Sequence, residues 1–189
     1  MKRLATFLVL LSACMASQAE VMNAQIDSSG LQYQGNMMIN QAAGREHQQV
    51  NSRVISVAPA AASVSRVEQT IEQLSVGSAF ASVARIDGDS FSHGNGVVGV
   101  NQSAGIANQQ INHMSVTLIT VPDSLDDSVL AQSITRPVNS ISTVSTAAGE
   151  RRADLSNEAF AGSRGVVQLN QSSGIGNSTA NHLSIRVVD

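Results

Sequence analysis

Residues 96–116 read GVVGVNQSAGIANQQINHMSV, a run with no acidic residue, Lys or Arg, in which Val and Ile mix with Asn, Gln and Ser and are punctuated by Gly. Its last part has a period of two: Met114, Val116 and Leu118 alternate with His113, Ser115 and Thr117. Alternation of this kind sets one apolar row against a core and one polar row toward solvent, as in a half-buried strand. Val97–Gln102 is a second β-prone run, and the Ser-Ala-Gly step between the two supplies Gly where a turn needs positive φ. The stretch reads as strand, Gly-centred turn, strand.

The same stretch occurs three times. GNMMINQAAGREHQQVNSRVISV starts at Gly35 and GVVQLNQSSGIGNSTANHLSIRV at Gly165, and both align with the run from Gly96 without gaps. Upstream, Ile26, Ile86 and Leu155 each stand five positions before Leu31, Phe91 and Phe160, which are read as equivalent. Repetition at this scale implies a modular, extended architecture more than a single globular active site. The recurring positions are the candidate partner-binding residues: Asn40, Gln41, Gly44, Gln48, Gln49 and Asn51; Asn101, Gln102, Gly105, Gln109, Gln110 and Asn112; Asn170, Gln171, Gly174 and Asn181. Two readings of the amides stand side by side. They line up between copies as hydrogen-bonded ladders, or they serve turns and solvated strand faces.

Composition narrows the fold. The chain has 189 residues, a net charge of −3, 42% hydrophobic and only 3% aromatic residues, so any core is thin for the length. Charged residues make up 13%, about half the usual share. A polar, nearly uncharged chain of this kind favours backbone pairing over a solvated tail. The expectation is a mainly β protein with three strand-turn-strand repeats, as a hairpin array or β-solenoid-like, with long connectors. Marginal hairpins and a largely disordered isolated chain are compatible with the same pattern.

The segments divide as residues 1–19, a signal peptide; 20–57, 84–118 and 153–189, the repeat units; 58–83 and 119–152, the connectors. MKR, the apolar LATFLVLLSACMA and SQA before Glu20 make a targeting segment with an A-x-A-like cleavage site. Leu11-Ser12-Ala13-Cys14 competes with it as a lipobox, so a membrane enters only if Cys14 is lipidated. Removal of residues 1–19 leaves no Cys and no Lys and a charge of about −5. The expected location is the periplasm, with the extracellular matrix or an outer-membrane lipoprotein as alternatives. In the first connector Val64, Val67, Ile71 and Leu74 have helical spacing, and the second opens with a candidate helix over Leu125–Ile134 that Pro137 ends.

Chemical motifs do not survive comparison between copies. Gly94-Asn95-Gly96-Val97-Val98-Gly99 fits the dinucleotide fingerprint, but a β-prone run follows where a helix N-terminus is required, and the third copy lacks two of the glycines. His47, His93, His113 and His182 have no zinc-ligand spacing, although His113 and His182 are repeat-equivalent. Asp87/Asp89 and Asp126/Asp127 read as turn or helix-start residues, and no nucleophile elbow is present. No enzyme, cofactor or nucleic-acid partner is expected; scattered Arg residues form no basic patch.

The pattern G-x-x-x-x-N-Q-x-A/S-G-x-x-x-Q-Q-x-N of the first two copies resembles the repeats of the Fap functional-amyloid system of Pseudomonas-type bacteria, and more loosely curlin-type repeats. Three repeats separated by variable linkers match the plan of that system's fibre subunits. The C-terminal Cys-x-Cys of those subunits is missing, and Asn177–Asn181 breaks the Gln-Gln pattern. By resemblance these departures imply a chaperone-like accessory member, which binds the fibre subunit and restrains its fibrillation in the periplasm. A minor fibre component or adhesin of a biofilm matrix, and a surface-binding β-repeat protein unrelated to amyloid, are the alternatives. Arg45-Glu46, Arg53 and Arg186 are candidate gatekeepers of strand edges.

Overall fold

The computed structural model describes residues 20–57, 67–71, 80–119, 133–135 and 149–188. The targeting segment with Cys14 and most of both connectors lie outside them. Each repeat unit forms one rung of three strands. β1 (Glu20–Asp27), β2 (Gln34–Arg45) and β3 (Gln48–Val57) make the first rung. β5 (Phe80–Asp87), β6 (Asn95–Ile106) and β7 (Gln109–Ile119) make the second, and β9 (Arg151–Leu155), β10 (Arg164–Ile175) and β11 (Ser178–Val188) the third.

The rungs stack into three parallel sheets, ordered β1-β5-β9, β2-β6-β10 and β3-β7-β11, with the second rung always central. Pairing is in register: Asn40, Asn101 and Asn170 are neighbours across the second sheet, and Asn51, Asn112 and Asn181 across the third. The solenoid reading therefore holds, and the hairpin array does not. β2 and β3 are joined by only Glu46 and His47, yet the backbone of each pairs with its counterparts in other rungs and not with the other. The turn also lies two residues beyond the expected glycine. Its positive φ falls on Glu46 (59°), Ala107 (56°) and Gly176 (62°), while Gly44, Gly105 and Gly174 lie inside the strands. Those glycines have positive φ as well, near 120°, and at Gly44 and Gly105 a Cβ would also collide with the carbonyl of the equivalent glycine on the next rung.

The second sheet is sandwiched between the other two. The even-numbered side chains of β6 face the first sheet, as do the odd-numbered ones of β2 and β10, and there Val98 and Val100 pack with Ile26, Ile86, Tyr33 and Phe91. Ile106 packs with Met22, Phe80 and Ile71. Phe91 and Phe160 stack with ring centroids 5.0 Å apart. Below them lies Gly30, not Leu31: the Phe91 amide donates to the Ser29 carbonyl as the Phe160 amide does to that of Ser90. The register shifts by one residue between β1–β5 and β2–β6, because the second rung has an extra residue in the intervening turn. Leu31 is left half-exposed.

The connectors depart from the helical reading where they are described. β4 (Glu68–Thr70) and β8 (Ser133–Thr135) pair in parallel, and no helix occurs among the described residues. The β-branched residues around Thr70–Ile71 suit a strand, and the helical spacing there came from only a few positions. Val64, Leu74 and residues 120–132 lie outside the described residues.

Candidate functional site

The amides expected to matter converge on two lines running along the solenoid. One line lies between the second and third sheets. Within each rung the third-sheet Asn donates to the second-sheet Asn: Asn51 to Asn40 (2.8 Å), Asn112 to Asn101 (2.9 Å), Asn181 to Asn170 (3.0 Å). Between rungs each Asn donates to its equivalent: Asn101 to Asn40, Asn170 to Asn101, Asn112 to Asn51 and Asn181 to Asn112, all at 3.0 Å. The second line lies between the first and second sheets, where Gln102 donates to Gln41 (2.8 Å) and Gln171 to Gln102 (2.9 Å). Ladders, not solvated faces, are what the repeat encodes. Asn101, Gln102, Gln110 and Asn112 are fully buried, and every one of them is hydrogen-bonded. Buried amides tolerate desolvation only when paired in this way.

The Gln-Gln pairs at the start of the third sheet extend the network. Gln49 donates to Gln110 (2.7 Å) and Ser103 (3.0 Å), Gln110 to Ser172 (3.1 Å), and Gln109 to Gln48 (3.2 Å). The third rung has Ser178 and Thr179 at these positions. The Thr179 hydroxyl is buried and has no hydrogen-bond partner.

Sequence reasoning missed a third column at the turn, where Asn177 donates to Asn108 (3.0 Å) beside His47. Its signal was the equivalence of His47, Asn108 and Asn177, hidden by the change of residue type. His47 contacts the Ala43 carbonyl and the Ser103 hydroxyl. Burial holds its pKa below the usual imidazole range, against the opposing pull of the Ala43 and Gly105 carbonyls. The His113 and His182 rings lie 4.7 Å apart, tilted by 31°. Their shared position is as expected, but His113 is buried, not solvated. Burial lowers both pKa values, helped at His113 by the neighbouring His182 and Arg53.

Two of the three gatekeeper arginines are engaged within the chain, whereas the Arg186 Nε is buried with no hydrogen-bond partner among the described residues. Arg45 pairs with Glu20 at 3.4 Å. Arg53 bonds Asn36 and reaches past Gly99 to Gln168 of the third rung at 2.8 Å. Beside it, at the mouth between the second and third sheets, an apolar groove of ≈ 300 Å³ is lined by Asn36, Ile55, Val97, Met114 and Val116. The apolar row of the third sheet is less covered than expected: Met114 is buried, whereas Ile55, Val57, Leu118, Ile185 and Val187 are exposed. On the outer face of the first sheet Arg85 and Arg152 both pair with Asp154, whose pKa is held down chiefly by its hydrogen bond with Arg152. Among the described residues no group of three or more His, Cys, Asp or Glu gathers as a metal site. Gly94–Gly99 opens β6 and is followed by strand, so no phosphate-binding helix end stands there.

What this geometry offers chemically is backbone and amide pairing at two bare edges. Among the described residues β1, β2 and β3 have neighbours on one side only, as do β9, β10 and β11. Open, in-register edges are templates for another chain's strands. Compared with known proteins, residues 12–188 match the family model described as the functional amyloid protein FapB/FapC family. No solved structure matches the chain.

Proposed function

Because the chain belongs to the FapB/FapC family of functional amyloid proteins, we propose that its rungs are fibre-building units that add to like rungs through their bare edges. The carrying observation is that both edges present strands already aligned for parallel pairing, with ladder amides at the same heights in every rung. The partner is another subunit of the same amyloid system, and the signal-like residues 1–19 imply that assembly follows export, in the periplasm or the matrix of a biofilm. No catalytic role is part of this reading.

Restraint of another subunit, the chaperone-like role of an accessory protein such as FapA, is the second reading. One observation favours it: Ser178 and Thr179 interrupt the Gln columns at the last rung, where a chain could add to an edge and then offer a poorer one. Thioflavin kinetics separate the readings. Residues 20–189 alone, seeded with their own sonicated fibres, elongate without a lag if the chain builds fibres. Delay of another fibre subunit at substoichiometric ratio, without self-elongation, selects restraint. A cooperative β fold that does neither removes both.

A further inference from the structure

The ladder amides have a direction. Asn101 and Asn170 each send their side-chain N–H groups to the rung before, to an Asn oxygen and to a backbone carbonyl, Val50 or Ile111. Gln102 and Gln171 do the same, to a Gln oxygen and to the carbonyl of Ala24 or Ala84. Asn112, Asn181, Gln109 and Asn177 also donate toward the earlier rung. The Asn and Gln columns of the second sheet and the Asn column of the third are therefore polar, with donors on the later rung and acceptors on the earlier one.

Among the described residues no rung precedes the first, and its second-sheet amides donate to no other rung. As a donor Asn40 makes only a long 3.5 Å contact to the Gln49 carbonyl, and Gln41 donates only to Gln25 of its own rung. At the other end, the oxygens of Asn170 and Gln171 and the carbonyls of Ala153 and Ala180 occupy the acceptor positions of the rungs below. The Gln49–Gln110 column at the start of the third sheet runs the opposite way, with Gln49 donating to Gln110 and Gln110 to Ser172 of the next rung. Gln25 and Asn108 also donate forward, to Asp87 and to the Gly174 carbonyl, and Asn112 has a second, longer contact to the Gln168 carbonyl.

Resting on the fibre-building reading, we propose that the joint is head to tail and of one kind: the third rung of one copy meets the first rung of the next. Asn40 and Gln41 then donate to Asn170 and Gln171 of the neighbour, as Asn101 and Gln102 donate to Asn40 and Gln41 inside the molecule. Two first rungs placed together set donor against donor, and two third rungs set acceptor against acceptor.

A charge exchange reads the polarity. In Gln41→Glu the remaining oxygens still accept from Gln102. In Gln171→Lys the ammonium still reaches the acceptors that Gln171 uses, Gln102, Ala84 and Asp154. Each single variant places one charge against an uncharged amide at the joint, and seeded elongation is expected to slow about tenfold. In the double variant, Gln41→Glu with Gln171→Lys, every head-to-tail joint opposes a carboxylate to an ammonium. Elongation on its own seeds is expected to recover and to fall as salt is added. A double variant slower than either single one overturns the proposal, since that is the result of like ends meeting. Failure of the unaltered chain to elongate on its own fibres instead removes the fibre-building reading itself.

Discussion

Asn112 is the residue on which the two amide directions cross. It donates to Asn51, Asn101 and the Val100 carbonyl, and it accepts from Asn170 and Asn181. Asn112→Ala removes all of these in a site closed to water and orphans several neighbours at once, so a loss of about 3 kcal/mol is expected in urea unfolding. Asn181→Ala, at the half-exposed end of the same column, is expected to cost about 1 kcal/mol, because water reaches the groups it leaves. Equal losses would mean that the ladder is not coupled. The histidines set a pH dependence. His47, His113 and His182 are all held neutral by burial, so the unfolded chain takes up protons more readily than the folded one. Stability is full above the unfolded pKa of about 6.5 and falls as pH drops below it. Urea midpoints at pH 7.5 and pH 5 check the sign, and His113→Gln should flatten the slope. The amide columns were legible in sequence because each repeats its residue type; the His47–Asn108–Asn177 column was not, because it changes type.

At the scale of the strand, the glycine columns separate close approach from conformation alone. Gly105→Ala meets both a positive φ of 121° and the Gly174 carbonyl, so the third rung has to move away or the second has to distort. Gly35→Ala has a positive φ of 85° but nothing within 4 Å of the added methyl. The expected losses are more than 3 kcal/mol for the first and about 1 kcal/mol for the second, measured as shifts of the urea midpoint. Strand and turn were legible from the period of two and the spacing of glycines. Whether β2 and β3 would bond to each other was not. A hairpin and an arch have the same local alternation, and the choice lies in which strands a segment meets about sixty residues away. The same blindness misplaced Leu31, since one extra residue in a turn of the second unit shifts the upstream alignment without altering its pattern.

For the molecule as a whole, stability is distributed as in a short one-dimensional array. Among the described residues only the second rung is covered on both sides, and its residues account for most of the fully buried side chains. In such an array the free energy is close to a sum of rung terms and interface terms, so adding an interior rung adds one favourable interface while leaving both ends unchanged. Residues 80–148 span one full period, since the pairing of the second rung with the third keeps a constant offset from Ser82–Arg151 through Ile119–Val188. A second copy of 80–148 inserted after residue 148 is therefore in phase: its Asn column continues between Asn101 and Asn170, and its Phe joins Phe91 and Phe160. The four-rung chain is expected to unfold in a single transition at a higher urea midpoint and with a steeper slope, because more surface is exposed on unfolding. Two separate transitions, or a midpoint no higher than that of the three-rung chain, would show that the rungs do not reinforce one another. The pairings involved are all long-range, so refolding of both chains should be slow, and slower for the longer one.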